Sequence, residues 1–159
     1  MSAAVAALND DLAVSNAAES SELHASCVSF LGRGLLLRGL SGAGKSDLAL
    51  RLIATGADLV ADDRVALVRR GDRLLASRPS RAVQGLLELR RQGIVALPAA
   101  PRCALALVLD LTSGDATERL PEPRAVRLLG IELPAADLDA HAASAVPRIV
   151  TLLLGRRTA

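Results

Sequence analysis

The chain has 159 residues, of which 51% are hydrophobic and 23% charged, and its formal net charge is +2. This composition predicts a folded domain, and the small charge argues against a nucleic-acid-binding protein. With no Trp or Tyr and a single Phe, aromatic stacking is nearly excluded, so any adenine pocket is expected to be aliphatic. No apolar run is long enough to span a membrane and no secretory signal is present, which predicts a cytoplasmic protein without a membrane partner.

Residues 1–22 differ in composition from the rest of the chain. They contain four acidic residues and no basic residue, among many Ala and Ser. Such a segment buries too little apolar surface to fold alone. We therefore expect an acidic flexible tail over residues 1–22 and one folded domain over residues 23–159.

Downstream, apolar runs alternate with turn residues. The runs HASCVSFL and GLLLRG predict a strand pair, and KSDLALRLIAT predicts a helix that ends at Gly56. DLVADD predicts a short buried strand that ends in two carboxylates, and RVALVRR-GD-RLLASR predicts a hairpin. VQGLLELRR is interpreted as a helical turn, RCALALVLDL as a central strand and VPRIVTLLLGRR as a last helix. This order of elements is typical of an α/β domain.

The loop between the strand pair and the first helix, GLSGAGKS, matches the phosphate-binding pattern G-x-x-x-x-G-K-[ST] in full. Backbone N–H groups of such a loop surround phosphate oxygens, the lysine reaches the outer phosphates and the hydroxyl ligates magnesium. Lys45 is the only lysine of the chain, beside 18 arginines. The predicted nucleotide-binding residues are Gly39, Leu40, Ser41, Gly42, Ala43, Gly44, Lys45 and Ser46.

Two adjacent carboxylates, Asp62 and Asp63, follow the predicted strand DLVA. Beside a phosphate-binding loop, one carboxylate can join the magnesium shell while the other takes a proton from the attacking hydroxyl. A guanine-specific GTPase is excluded because the only asparagines, Asn9 and Asn16, lie in the tail. No Ser-Gly-Gly-Gln signature of a transporter ATPase occurs. A nucleoside monophosphate kinase stays open at this point, although its arginine-rich lid is hard to fit into a core of this size. The motifs and the order of the elements predict an α/β fold with a P-loop kinase core, a mixed sheet and flanking helices.

Together these motifs resemble the HPr kinase/phosphorylase family, whose catalytic domain phosphorylates a serine of the phosphocarrier protein HPr in the bacterial sugar phosphotransferase system. His24 stands 15 residues before the first loop glycine, GLSGAGKSD resembles the family's P-loop and GADLVADD resembles its catalytic aspartate segment. LELRRQGIVAL is similar to the signature L-E-[VI]-R-G-L-G-I-[IL], and ERL, at 118–120, to a later arginine motif. The resemblance covers roughly residues 23–133.

The resemblance implies a role for each matched residue. Lys45 and the loop would hold the β and γ phosphates of ATP, and Ser46 would ligate Mg²⁺ together with Glu88. One of Asp62 and Asp63 would be the general base, with Asp63 favoured by analogy with paired acids of other P-loop enzymes. The remaining two implied roles belong to His24, which would orient that carboxylate, and to Arg119, which would balance charge on the transferring phosphoryl group.

The resemblance also implies a protein serine kinase with an HPr-type partner and a homo-hexameric assembly. Only 23 residues precede His24, which predicts a short form without the separate N-terminal domain of longer members. Arg91-Gln92 stand where the family usually has Gly-Leu. PAADLDAHAAS replaces a Pro-Gly-Arg-Asn-like element linked to dephosphorylation, which argues against phosphorylase activity, and His141 within it is expected on a surface loop. A small-molecule P-loop kinase and a non-catalytic nucleotide-binding regulator are the alternatives.

Overall fold

A computed structural model describes residues 19–112 and 122–155. These residues form eleven strands and two helices, which are, in chain order, β1 (Ser20–His24), β2 (Ser26–Phe30), β3 (Arg33–Arg38), α1 (Lys45–Ala54), β4 (Asp58–Ala61), β5 (Arg64–Arg70), β6 (Arg73–Ser77), β7 (Leu86–Leu89), β8 (Gly93–Ala96), β9 (Arg102–Leu111), β10 (Arg124–Leu128), β11 (Ile131–Leu138) and α2 (Ala145–Leu154). The expected α/β fold, with a mixed sheet and flanking helices, is confirmed.

The long strand β9 joins the two parts of the main sheet. Within the described residues this sheet has nine strands, in the order β1-β5-β6-β9-β3-β2-β4, with β11 also paired to β9 and β10 paired to β11. The first residues of β9 pair antiparallel with β6, its middle pairs parallel with β3 and its last residues pair parallel with β11. The prediction of a central strand over RCALALVLDL is therefore confirmed.

The apolar residues of the central strands point alternately to two separate cores. Leu35 and Leu37 of β3 pack in a cluster with residues of α1 and α2, whereas Leu36 between them packs in a second cluster with residues of β5, β6 and β11. This follows from the period of two along a strand, which sends successive side chains to opposite faces. Because the centre of β3 is apolar on both faces, it is buried between the two clusters.

Helix α1 forms directly after the glycine-rich loop. Leu48 and Leu52 lie one turn apart and are fully buried, while Asp47 and Arg51 form an exposed i,i+4 ion pair with 3.1 Å between Oδ2 and Nε. The acidic residue in the first turn and the basic residue in the last turn also complement the helix dipole. The helix ends at Ala54, and Gly56 follows with φ +110°.

Two predicted details differ from the structure. The segment around Glu88 is a strand, not a helical turn: β7 and β8 form a two-stranded antiparallel sheet, turned through positive φ angles at Arg91 (+67°) and Gly93 (+96°). Leu87 is buried between exposed Leu86 and Glu88, which is a period of two. The predicted domain start at residue 23 falls inside β1, whose pairing with β5 begins at Ser20.

In the ranges that the structure describes, neither helix is long and apolar enough to cross a membrane.

Candidate active site

The site lies where several strands of the sheet end at one edge. β4 runs antiparallel to β2 and β2 antiparallel to β3, so β4 and β3 end on the same side of the sheet. β9 and β11 run parallel to β3 through successive pairings and end there too. The glycine-rich loop follows β3 and the aspartate pair follows β4. The fold therefore brings both predicted motifs together, as expected for an open α/β sheet.

The loop from Gly39 to Gly44 has the backbone geometry of a phosphate cradle. Gly42 and Gly44 have φ angles of +86° and +97°, which are strained for any residue with a side chain. The Lys45 side chain is only 8% exposed, and its Nζ donates to the backbone oxygens of Gly39 at 2.7 Å and Leu40 at 3.0 Å. An ammonium group has three protons, so one donor remains for a phosphate oxygen.

Asp62 is held by two serine hydroxyls. Ser46, at the start of α1, donates to both carboxylate oxygens of Asp62, at 2.9 and 3.2 Å. Ser26 of β2, which is fully buried, donates to Oδ1 of Asp62 at 2.6 Å. The contact arises because β2 pairs with β4, with Cys27 opposite Ala61. Asp62 is thus a half-buried carboxylate in a fixed orientation beside the phosphate-binding loop.

Asp63 has different surroundings from its neighbour. Its side chain is 76% exposed, and its Oδ1 lies 2.9 Å from Nε2 of His24, which is 45% exposed. Asp63 has φ +66°, in the left-handed region, so the chain turns sharply between β4 and β5 and points the two carboxylates differently. One carboxylate oxygen is bound to the imidazole and the other is open to solvent. The structure thus places His24 against Asp63 rather than Asp62, while the catalytic roles that the resemblance implies for them stay predictions.

The residues around Asp62 fit a magnesium ion. The Ser46 hydroxyl and the Asp62 carboxylate are hard oxygen donors, and Mg²⁺ commonly uses one or two such groups together with water and substrate phosphates. Over residues 19–112 and 122–155, no three His, Cys, Asp or Glu side chains are grouped as a metal site by themselves. Glu88 lies exposed on β7 and has no hydrogen bond or ion pair in that part of the chain. Arg119 lies outside the described residues.

Sequence reasoning missed a charged network beside the loop. Arg38, the last residue of β3, donates Nε and Nη2 to Asp110 of β9, at 2.7 and 3.0 Å, and Arg124 also pairs with Asp110, at 2.9 Å. Partial burial raises the pKa of the Asp110 carboxyl, but the hydrogen bonds from both arginines outweigh this and leave the pKa below its usual value. This network joins β3 to β9 at the residue immediately before the loop.

Sequence reasoning also missed the contact between Ser26 and Asp62. The sequence carries a local signal for this contact and for the charged network. Ser26 is a polar residue within an apolar strand, which requires a hydrogen-bonding partner when buried. Arg38 and Asp110 are charged residues at the ends of two apolar strands, where opposite charges on neighbouring strands can pair. Neither signal identifies the partner, because the partners are 36 and 72 residues away in the chain.

Comparison with known proteins agrees with this geometry. Residues 15–151 match the family described as HPr Serine kinase C-terminal domain. The chain belongs to this family. The resemblance noted from the P-loop, the aspartate segment and the signature is thereby confirmed, and so is the assignment to the HPr kinase domain.

Among solved structures, this HPr kinase domain is similar to the Hpr(Ser) kinase/phosphatase from Coxiella burnetii, with a TM-score of 0.72 and 27% identity over 84% of this chain and 88% of that chain. Curated relatives include the HPr kinase/phosphorylase of Chlorobium phaeobacteroides, 29% identical over 83% of this chain and 42% of the relative. That of Chlorobium chlorochromatii is 35% identical over 74% of this chain and 39% of the relative. The chain thus spans about two fifths of the length of these two relatives.

Proposed function

We propose that this protein is an ATP-dependent protein serine kinase that phosphorylates an HPr-type phosphocarrier protein. The observation that carries the proposal is the meeting of two motifs at one sheet edge: the loop with Lys45, and the aspartate pair joined to it through Ser46 and Asp62. Membership of the HPr kinase domain family and the names of its relatives support the substrate class. A phosphate-binding loop occurs in many nucleotide-binding proteins and does not define the reaction. The paired carboxylates beside it are what favour phosphoryl transfer.

In this proposal each residue at the sheet edge has a separate task. The glycine-rich loop and Lys45 hold the outer phosphates, and Ser46 and Asp62 hold magnesium, which would neutralise charge on the phosphates. Asp63 is the general base: its solvent-facing oxygen takes the proton of the acceptor serine while His24 holds the other oxygen. The different surroundings of the two carboxylates support this division of roles.

Further expectations from the resemblance remain predictions. Glu88 as a second magnesium ligand, Arg119 as a charge-balancing group and a homo-hexamer all belong to this class. The cytoplasmic location, which was expected from the lack of an apolar span and of a secretory signal, also stays a prediction. The reverse reaction is left out of the proposal, because the element linked to dephosphorylation is replaced by PAADLDAHAAS.

The test is transfer of label from γ-labelled ATP to purified HPr of the same organism in the presence of Mg²⁺. We expect label on a serine of HPr, and loss of transfer with Lys45→Ala. Asp63→Asn should lower kcat by about 10²- to 10⁴-fold, the usual contribution of a general base. Asp72→Asn, in the exposed β5–β6 turn, is the matched control and should retain full activity.

One outcome would contradict the proposed acceptor, and another would contradict the proposed roles of the two aspartates. ATP binding without transfer to HPr would favour a small-molecule acceptor or a non-catalytic regulator. Transfer that survives Asp63→Asn but not Asp62→Asn would keep the kinase and reverse the two aspartate roles.

A further inference from the structure

The loop between β11 and α2, residues 139–144, lies against the end of the phosphate-binding loop. A Cβ atom added to Gly44 would lie 3.1 Å from Cβ of Ala140, 3.2 Å from Cε1 of His141 and 3.6 Å from its Nε2. His141 was expected on a surface loop, and the structure adds a neighbour that the sequence did not indicate. The imidazole is exposed, but it lies beside the last glycine of the phosphate cradle.

The backbone of this loop is held at Ala140 and at His141. Arg51 of α1 donates a hydrogen bond to the backbone oxygen of Ala140, which is fully buried. The backbone N–H of His141 donates to Oδ1 of Asp139 at 2.9 Å. In the described part of the chain the imidazole itself makes no hydrogen bond or ion pair. A fixed backbone with an unused ring beside a ligand site is suited to contact the ligand.

The order of the strands determines which part of a nucleotide this ring can reach. β3, which precedes the loop, has β2 and β4 on one side and β9 on the other, with β11 paired to β9. Asp62 and Asp63 follow β4, and His141 follows β11, so they flank the loop from opposite sides. The transferred phosphoryl group must face the acceptor and its base. The remainder of the nucleotide then extends toward His141.

We propose that His141 binds the nucleoside part of the phosphate donor, through its ring face or its Nε2. The proposal rests on the proposed function only for the direction in which the phosphates lie. It revises the expectation of an aliphatic adenine pocket, because one ring, that of His141, lies beside the last glycine of the loop. There is no Trp or Tyr, Phe30 is buried and His24 is bound to Asp63, which leaves His141. Histidine rings stack on bases as other aromatic side chains do.

Calorimetric titration with two ligands, Mg-ATP and inorganic tripolyphosphate, separates the nucleoside from the phosphates. Wild-type protein should bind both through the loop. His141→Ala should raise the Kd of ATP by about five- to tenfold, at the low end for loss of one stacked base, and leave the Kd of tripolyphosphate unchanged. Lys45→Ala should weaken both ligands, and His141→Phe should recover ATP binding if the ring face makes the contact. Melting temperatures of all variants check the fold.

Each result decides the question. Equal weakening of both ligands by His141→Ala would assign the residue to the phosphates and overturn the proposal, as would no change in ATP binding. Failure of the wild type to bind either ligand would refute both nucleotide binding by the loop and the proposed role of His141. Selective loss of ATP affinity in a protein that does not phosphorylate HPr would keep this inference and refute the proposed acceptor.

Discussion

Asp62 accepts hydrogen bonds from two serine hydroxyls, and only Ser46 of these belongs to the phosphate-binding loop. Ser26 is fully buried on β2 and donates to the same Oδ1 atom of Asp62 as Ser46 does. Groups that orient a metal ligand in this way commonly change metal affinity or activity when they are removed. In the proposed mechanism Ser26 would therefore position Asp62 without contacting the reacting atoms.

We predict that Ser26→Ala raises the Mg²⁺ concentration needed for half-maximal phosphoryl transfer by about tenfold. The reason is that Asp62 loses one of the two donors that hold it. Magnesium titrations of the transfer rate measure the effect. Ser29→Ala, on the same strand and half-buried, is the matched control and should behave as wild type. An unchanged magnesium dependence in Ser26→Ala would show that Ser46 alone orients the carboxylate.

Among single residues, the sequence predicted those that belong to one short motif in the chain. The P-loop pattern identified Lys45 and Ser46 because the chemistry needs them at a fixed spacing. Ser26 and His141 reach the same edge only through strand pairing, from β2 and from the loop after β11. Their roles could not be predicted from the motif, because nothing local in the chain records which distant residue will lie beside them.

At the scale of the element, β3 and β9 lie close together at Gly34. A Cβ atom at this position would lie 2.6 Å from the backbone oxygen of Ala104 and 2.8 Å from Sγ of Cys103, and the register shifts between Gly34 and Leu35. A backbone oxygen cannot move aside cheaply. Glycine is thus required by space at a strand position where it would otherwise weaken the sheet.

We predict that Gly34→Ala lowers the free energy of unfolding by about 2–3 kcal/mol, because the added methyl group overpacks the β3–β9 contact. Urea unfolding curves measure this loss. Gly32→Ala is the control: its φ is +72° but nothing lies within 4 Å of its added Cβ, so only backbone strain of about 1 kcal/mol is expected. Equal losses for both variants would refute the steric explanation.

The carboxyl ends of β3 and β9 are also joined by charge, through Asp110 and its two arginines. Because the folded-state pKa of Asp110 is lowered, its stabilising contribution is complete above the unfolded pKa of about 3.9 and is lost as pH falls through the folded pKa. The carboxylate is about one quarter exposed, at 24%, which reduces the value of each pair.

We predict that Asp110→Asn lowers the free energy of unfolding by about 1–2 kcal/mol at pH 7, and that the difference from wild type shrinks below about pH 4. Denaturant unfolding between pH 3 and pH 7 measures both effects. Asp137→Asn, which removes a more exposed carboxylate bound to Arg124, should cost less. A difference that stays constant over this pH range would refute the assignment of this stabilisation to the ionised carboxylate.

Elements with a clear period were predicted well, whereas β10 and β11 were not predicted and one segment with mixed signals was assigned wrongly. Helix α1 and strand β9 are long enough for their periods to be unambiguous. The segment LLELRRQGIVA contains good helix-forming residues, yet it forms β7 and β8 because positive φ angles at Arg91 and Gly93 close a tight turn. An arginine in that backbone region has no sequence signal, so the helical interpretation was wrong.

At the scale of the whole molecule, the amino-terminal boundary can be tested directly. Strand β1 pairs with β5 from Ser20 onward, the backbone N–H of Arg69 donates to the oxygen of Glu19, and Glu22 pairs with Arg81. A chain that starts at residue 23 loses these contacts and a chain that starts at residue 19 keeps them. We predict that the shorter chain is less stable by about 1–2 kcal/mol, as expected for the loss of a few backbone hydrogen bonds.

Thermal and urea unfolding of the two truncated chains give this difference. Equal stability would confirm residue 23 as the effective start of the domain. Both truncated chains keep His24, so comparing their transfer rates also tests whether the first residues of β1 hold that imidazole in place.

The single lysine in the loop has a practical consequence for the chemistry of the whole molecule. All other side-chain cations are guanidinium groups, which acylating reagents do not modify under mild conditions, so Lys45 is the only side-chain amine that such reagents meet. Its ammonium is buried and bound to two carbonyl oxygens, which slows the reaction further. Amine-directed dyes would therefore have only two targets, Lys45 and the terminal α-amine, and acylation of Lys45, resolved from the α-amine by peptide mapping, would report whether the loop is occupied.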